Sequence, residues 1–362
     1  MKSSLFLPLC AILGASISFS SSAQDAAVSP DSAAAQERSS AADPSDREAL
    51  VAKIAALLKD VEENGASLEK LDQIGDLYLQ GGDAQRAILV FEKAIEEFGG
   101  SEELFVKVAR VMQIVGGPEH AVNALTLGLE KFPDSELLTY EIGKAYIGLD
   151  KPYAAISNLK KVIQLSPEKE SYRYHLADAY RLQKKWEESS KIVEDLIDKD
   201  TEILEVYLMK GDLMLSQGEH RDGVRFLEDL LEEHPDSQSV KKVLVHAYQL
   251  YAYAESESGR LSRAVRSIRS ALEVEPKNNE SLLALANFLN QLGEYEEAET
   301  TFKSLLEENP NYLDAYVFYG RMLEELDRTQ EAAAQYQKGL SLARDLGVEG
   351  AITAFRQLLR IK

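Results

Sequence analysis

Residues stand in phase at steps of 34 along most of this chain, and that period dictates what it can fold into. The clearest unit runs from Asn279 to Tyr312. Leu282, Leu285, Ala286 and Leu289 recur at three- and four-residue steps, so they share one helical face. Gly293 ends that helix. Ala298, Phe302 and Leu305 then stripe a second helix, which Asn309-Pro310 stops because proline has no amide hydrogen to continue the turn. Neither helix buries its stripe alone, so a unit of this kind needs neighbours.

The neighbours are legible. Leu71, Ile74, Gly75 and Tyr78 with Ala87, Phe91 and Ala94 form the first pair of stripes. One period on, the same places hold Phe105, Val108, Ala109 and Met112, then Ala121, Leu125 and Gly128. Ile142, Gly143, Tyr146, Ala155, Leu159 and Val162 follow, then Leu176, Ala177, Tyr180, Ser189, Val193 and Leu196, then Gly211, Met214, Gly223, Leu227 and Leu230. Between Pro235 and Pro276 the register slips by seven residues, close to two helical turns. A first helix continuing about 10 Å beyond its neighbours accounts for the excess at 1.5 Å per residue. Two further units carry the pattern to residue 346. The reading is therefore eight hairpins over 68–346, with the sixth, 238–278, lengthened. A covering helix is expected at 47–67, capped by Ser45 or Asp46, and another at 347–362, where Ile352, Phe355, Leu358 and Leu359 share a face.

The amino terminus reads differently. Lys2, an apolar run from Leu5 to Ile17 and Ser21-Ser22-Ala23 resemble a secretory signal peptide over 1–23. Residues 24–46 are rich in Ala, Ser and Asp and are expected to form a flexible linker. Cleavage after Ala23 removes the only cysteine, Cys10, and takes the net charge from −21 to −22. Leu9 before Cys10 departs from the lipoprotein pattern, so a lipid anchor is not expected. Export to the periplasm or the medium is, with no membrane-spanning segment after cleavage. The 61 acidic against 40 basic residues disfavour nucleic acid as a partner, since binding would have to overcome repulsion.

The in-phase small residues and closing prolines resemble the tetratricopeptide repeat (TPR) family, over about three quarters of the chain. The resemblance implies an all-α solenoid of about eight hairpins in a right-handed superhelix with terminal capping helices. It implies too that first helices line a concave groove that binds a protein or peptide. Arg173 and Thr139 stand where the family prefers a large apolar residue, Lys210 occupies a usually buried slot, and the fourth unit lacks its closing proline.

If first helices line a groove, Val106, Arg110, Tyr140, Lys144, Tyr174, Asp178, Arg181 and Leu208 face it. Tyrosine supplies contact area and arginine directed donors, which suits peptide recognition; alternatively, the cations pair with carboxylates along their own helices. A second contact is expected in the long unit, from Tyr248, Tyr251 and Tyr253 and from the basic patch of Arg260, Arg263, Arg266 and Arg269. That patch could receive an anionic partner or be a solvated face, and a second copy of the chain is a candidate occupant. Trp186 and Tyr295 read as packing residues. The histidines show no paired metal-ligand spacing, and neither a phosphate loop nor a nucleophile elbow is present, so neither metal, cofactor nor catalysis is expected.

Overall fold

The computed structural model describes residues 44–360. The expected signal peptide and most of the expected linker lie outside them. Among the described residues there are eighteen helices and no strand. The chain forms two compact units, up to Ile192 and from Val193 onward.

The first unit contains α1 (Pro44–Asn64), α2 (Leu68–Gln80), α3 (Ala84–Phe98), α4 (Glu102–Gly116), α5 (Pro118–Lys131), α6 (Glu136–Gly148), α7 (Pro152–Leu165) and α8 (Glu170–Leu182), with α9 (Trp186–Ile197) crossing the division. The second continues with α10 (Leu204–Ser216), α11 (His220–Glu233), α12 (Gln238–Glu257), α13 (Leu261–Val274), α14 (Asn279–Leu292), α15 (Tyr295–Glu308), α16 (Leu313–Glu325), α17 (Thr329–Asp345) and α18 (Glu349–Leu358).

Each hairpin is made by local rules that repeat. Several first helices open on a side-chain cap that the apolar pattern does not reveal: the hydroxyls of Ser67, Ser101, Ser135 and Ser237 and the Asn278 amide oxygen accept amide hydrogens three residues on. In seven hairpins the amide that opens the second helix donates to the carbonyl five residues earlier, as in Asp83 to Tyr78, Lys185 to Tyr180 and Arg328 to Leu323. That bond needs a left-handed residue just before it. Gly293 suits this at φ 83°, whereas Asp150, Lys184 and Asp327 adopt it with a side chain. Second helices stop just before Pro133, Pro167, Pro235, Pro276 and Pro310. The fourth hairpin, which has no such proline, turns instead through Asp200 at φ 57°, with the buried Thr201 accepting from Ile203 N–H and the Tyr207 hydroxyl.

Packing follows the same logic. Most second helices lie against their own first helix and the next hairpin's first helix, and α4, α6 and α8 in the first unit and α10, α12, α14 and α16 in the second touch in succession, so these first helices form the inner row of each unit. Small residues set the distance: a Cβ at Gly320 would overlap the fully buried Tyr336 ring. The unexpected polar residues are accommodated at the surface of this core. Thr139 bonds its hydroxyl to the Ser135 carbonyl, and the Lys210 ammonium lies 5.1 Å from the Phe226 ring centroid.

At the start, Leu50, Ile54 and Val61 of α1 are buried against the first hairpin. The helix begins at Pro44, so Ser45 and Asp46 lie within its first turn rather than capping it. At the end, Ile352 and Phe355 of α18 are buried, with Leu358 and Leu359 partly covered. The sixth hairpin's α12 is 20 residues long, where other first helices have 13 to 15.

Candidate functional site

On the inner row of the first unit, α4, α6 and α8 lie side by side and bring most of the expected groove residues together. A cleft of about 210 Å³ opens between α4 and α6 over α5. Val106 and Arg110 line it from α4 and Lys144 from α6, with Ala121 and Leu125 as its base. Val106 is only 5% exposed, so it forms wall rather than a free side chain. Glu141 organises the charges: Lys144 donates to both its carboxylate oxygens at 3.1 and 3.2 Å, and the exposed Arg110 guanidinium approaches to 3.9 Å.

One helix along, the aromatic residues interlock. The Tyr140 ring lies 4.4 Å from Tyr172, and Tyr174 meets His175 edge-on at 4.9 Å. His175 Nδ1 stands 2.7 Å from the Ser171 carbonyl and 3.0 Å from the Tyr140 hydroxyl. A carbonyl only accepts, so Nδ1 carries the hydrogen, Nε2 is left as acceptor, and the Tyr140 O–H is free to donate. Burial lowers the His175 pKa and raises that of Tyr140, which keeps both neutral near pH 7. Tyr172 is fixed from behind, because Glu136 accepts from its hydroxyl at 2.8 Å, from Lys169 at 2.6 Å and from Ser166 at 2.9 Å. Farther along α8, Arg181 donates Nε–H and Nη2–H to Asp178 at 3.0 and 2.7 Å.

Lys144 and Arg181 are thus paired along their own helices, and Arg110 approaches Glu141 on the neighbouring one. What remains to meet a partner is a partly exposed aromatic face with neutral donors and acceptors, flanked by ion pairs. Leu208 lies on α10 in the second unit, packed against the core around Leu244 and Tyr248. His175 and Tyr172 were not singled out from sequence. The available signal was their position, 35 and 32 residues after Tyr140 and so about one period away on the neighbouring first helix.

The second expected contact divides. Tyr248 is 8% exposed and donates its hydroxyl to Glu228, so it is a packing residue and not a projecting one. Tyr253 is 51% exposed and sets its ring edge-on to Phe288 at 5.5 Å. Tyr251, Arg260, Arg263 and Arg266 line a larger cleft between α11 and α13, while Arg269 leaves the patch to pair with Glu297 on α15 at 2.7 Å. Among the described residues no three His, Cys, Asp or Glu side chains gather as a metal site requires, and no helix is long and apolar enough to cross a membrane.

Family models described as tetratricopeptide repeat match residues 71–97, 139–169, 205–237, 256–311 and 291–346. Among solved structures, the C-terminal part of a TPR repeat-containing protein from Cytophaga hutchinsonii superposes with a TM-score of 0.52 at 15% identity, over 70% of this chain and 98% of that one. A tetratricopeptide repeat protein from Parabacteroides merdae gives 0.49 at 18% identity, over 71% and 98%. A DnaJ homolog subfamily C member 7 homolog from Schizosaccharomyces pombe is 23% identical over 169 residues, 44% of this chain; the match spans 36% of the relative's length. With five matched segments falling on the hairpins themselves, the chain is a tetratricopeptide repeat protein.

Proposed function

We propose that this repeat scaffold is an exported, non-enzymatic adaptor that holds a peptide or protein partner on the face formed by α4, α6 and α8, in the assembly of a bacterial envelope complex. The observation that carries the reading is the Tyr140–Tyr172–Tyr174–His175 cluster on the inner row. Aromatic rings held rigid by their neighbours lose little conformational freedom on binding and offer area and hydrogen bonds together. The apolar run and small-residue site at the amino terminus support export, and the acidic composition suits a protein that avoids nucleic acid. The mechanism is preformed complementarity: the stacked hairpins fix the face, and its irregular residues choose the partner.

The test is capture of the partner from an envelope extract by the chain and by a Tyr174→Ala, Arg181→Glu double variant of equal helicity. Capture should fall at least about tenfold, the loss of one anchoring aromatic contact. Equal capture by both would remove the basis for this face.

A further inference from the structure

The long α12 helps to form a further cleft in the second unit. Its last two turns, bearing Tyr251, Ala254, Glu255 and Ser258, floor a cleft of about 800 Å³ whose walls are α11 and α13. The walls are basic. Arg221 and Arg225 stand on one, Arg260, Arg263 and Arg266 on the other, against Glu228 and Glu255: five arginines and two carboxylates in a protein whose net charge is −21. Exposed charges are screened beyond about 8–10 Å at physiological ionic strength, so a ligand inside the cleft feels its local excess of three positive charges more than the distant acidic surface.

The carboxylates do not neutralise it. Glu255 is buried and taken up by Arg260, at 2.6 and 3.0 Å, with Arg263 at 3.8 Å. Glu228 accepts the Tyr248 hydroxyl. Among the described residues Arg221, Arg225 and Arg266 have no ion pair or hydrogen bond, and the buried His220 Nδ1 at the mouth of the same cleft lacks a partner. Three guanidiniums without an ion pair therefore line the volume from its two walls, while Glu255 is taken up by Arg260 and Glu228 accepts from Tyr248.

We propose that this cleft binds a compact anion carrying more than one phosphate group. Guanidinium forks match phosphate oxygens, and a phosphate has enough acceptors to take donors from both walls at once, whereas a carboxylate satisfies one fork. The volume fits a ligand of nucleotide size or smaller. The site does not depend on the α4–α6–α8 face, which lies in the other unit.

Calorimetric titration of the full chain with sodium tripolyphosphate, and flotation with vesicles containing the two-phosphate lipid cardiolipin, distinguish a soluble phosphate from a lipid headgroup. An Arg225→Ser, Arg266→Ser variant serves as control, because both side chains are exposed and unpaired and folding can be verified by circular dichroism. Binding in either arm that weakens at least about tenfold in the variant and with added salt supports the proposal. Binding of neither probe, binding that the variant leaves unchanged, or binding only of a glutamate-rich peptide overturns it.

Discussion

At the scale of single residues, the repeat tolerates exceptions at a measurable cost. Lys184 holds a left-handed conformation, φ 57°, at a position where four other hairpins place glycine, at Gly82, Gly218, Gly259 and Gly293. A side chain there costs about 1 kcal/mol relative to glycine, which has no Cβ to clash. Lys184→Gly is therefore expected to raise stability by up to about 1 kcal/mol, read from the urea midpoint, with the greater backbone freedom of glycine when unfolded offsetting part of the gain. The Glu299–Arg328 pair gives a pH-dependent counterpart. Arg328 donates to Glu299, and that charge-assisted bond, helped by Lys303 and the Tyr319 hydroxyl, lowers the carboxyl pKa from 4.5 to about 2. A carboxyl depressed in the fold stabilises it above the unfolded pKa and loses that contribution as pH falls through the folded one. Arg328→Met should thus cost on the order of 1 kcal/mol at neutral pH, solvent screening holding it well below what the shift alone implies. The gap from the parent should close between pH 4.5 and about 2. A gap independent of pH would mean that the pair contributes nothing through charge.

At the scale of elements, the hairpins were legible because their signals are periodic: apolar residues at three- and four-residue steps, small residues at the crossing, proline at the exit. The seven-residue excess was legible for the same reason, since an inserted pair of turns keeps every stripe in phase. Less legible was anything set by contact between elements. Tyr248 continues the stripe of α12 and looks like a projecting aromatic, yet Glu228 from the preceding hairpin takes its hydroxyl and the core covers its ring. The arginines at three-residue steps read as one patch, but rotation about the helix axis sends Arg269 to Glu297 and the others into the cleft. Gln249 is another such case. Buried on α12, it donates to Asn278 at 3.1 Å and Ser281 at 2.9 Å, tying the sixth hairpin to the cap of α14. Gln249→Ala removes a buried donor and takes away the Ser281 hydroxyl's partner, while Asn278 keeps the Ser281 amide, so a loss of about 1–3 kcal/mol is expected. Faster hydrogen exchange confined to the first turn of α14 would locate the effect.

At the scale of the whole molecule, nearest-neighbour contacts within each unit provide continuous surface, and the proposed function rests on where that surface departs from the repeat. His175 comes between Tyr140 and Tyr174 only where α6 and α8 lie side by side; sequence supplied the tyrosines and the period, not the ring contacts. It left open whether the cations are free or paired, and Lys144 and Arg181 form ion pairs with Glu141 and Asp178. The scaffold is thus assigned by its repeats, and the proposed partner face is argued from its exceptions. The most direct measurement is a photo-crosslinking scan in the native envelope, with the reactive side chain placed in turn at Tyr174, at Lys144 and at Leu165, an exposed residue at the end of α7. The account predicts one shared crosslinked partner from positions 174 and 144 and none from 165. Crosslinks from 165 with none from 174 or 144 would contradict it.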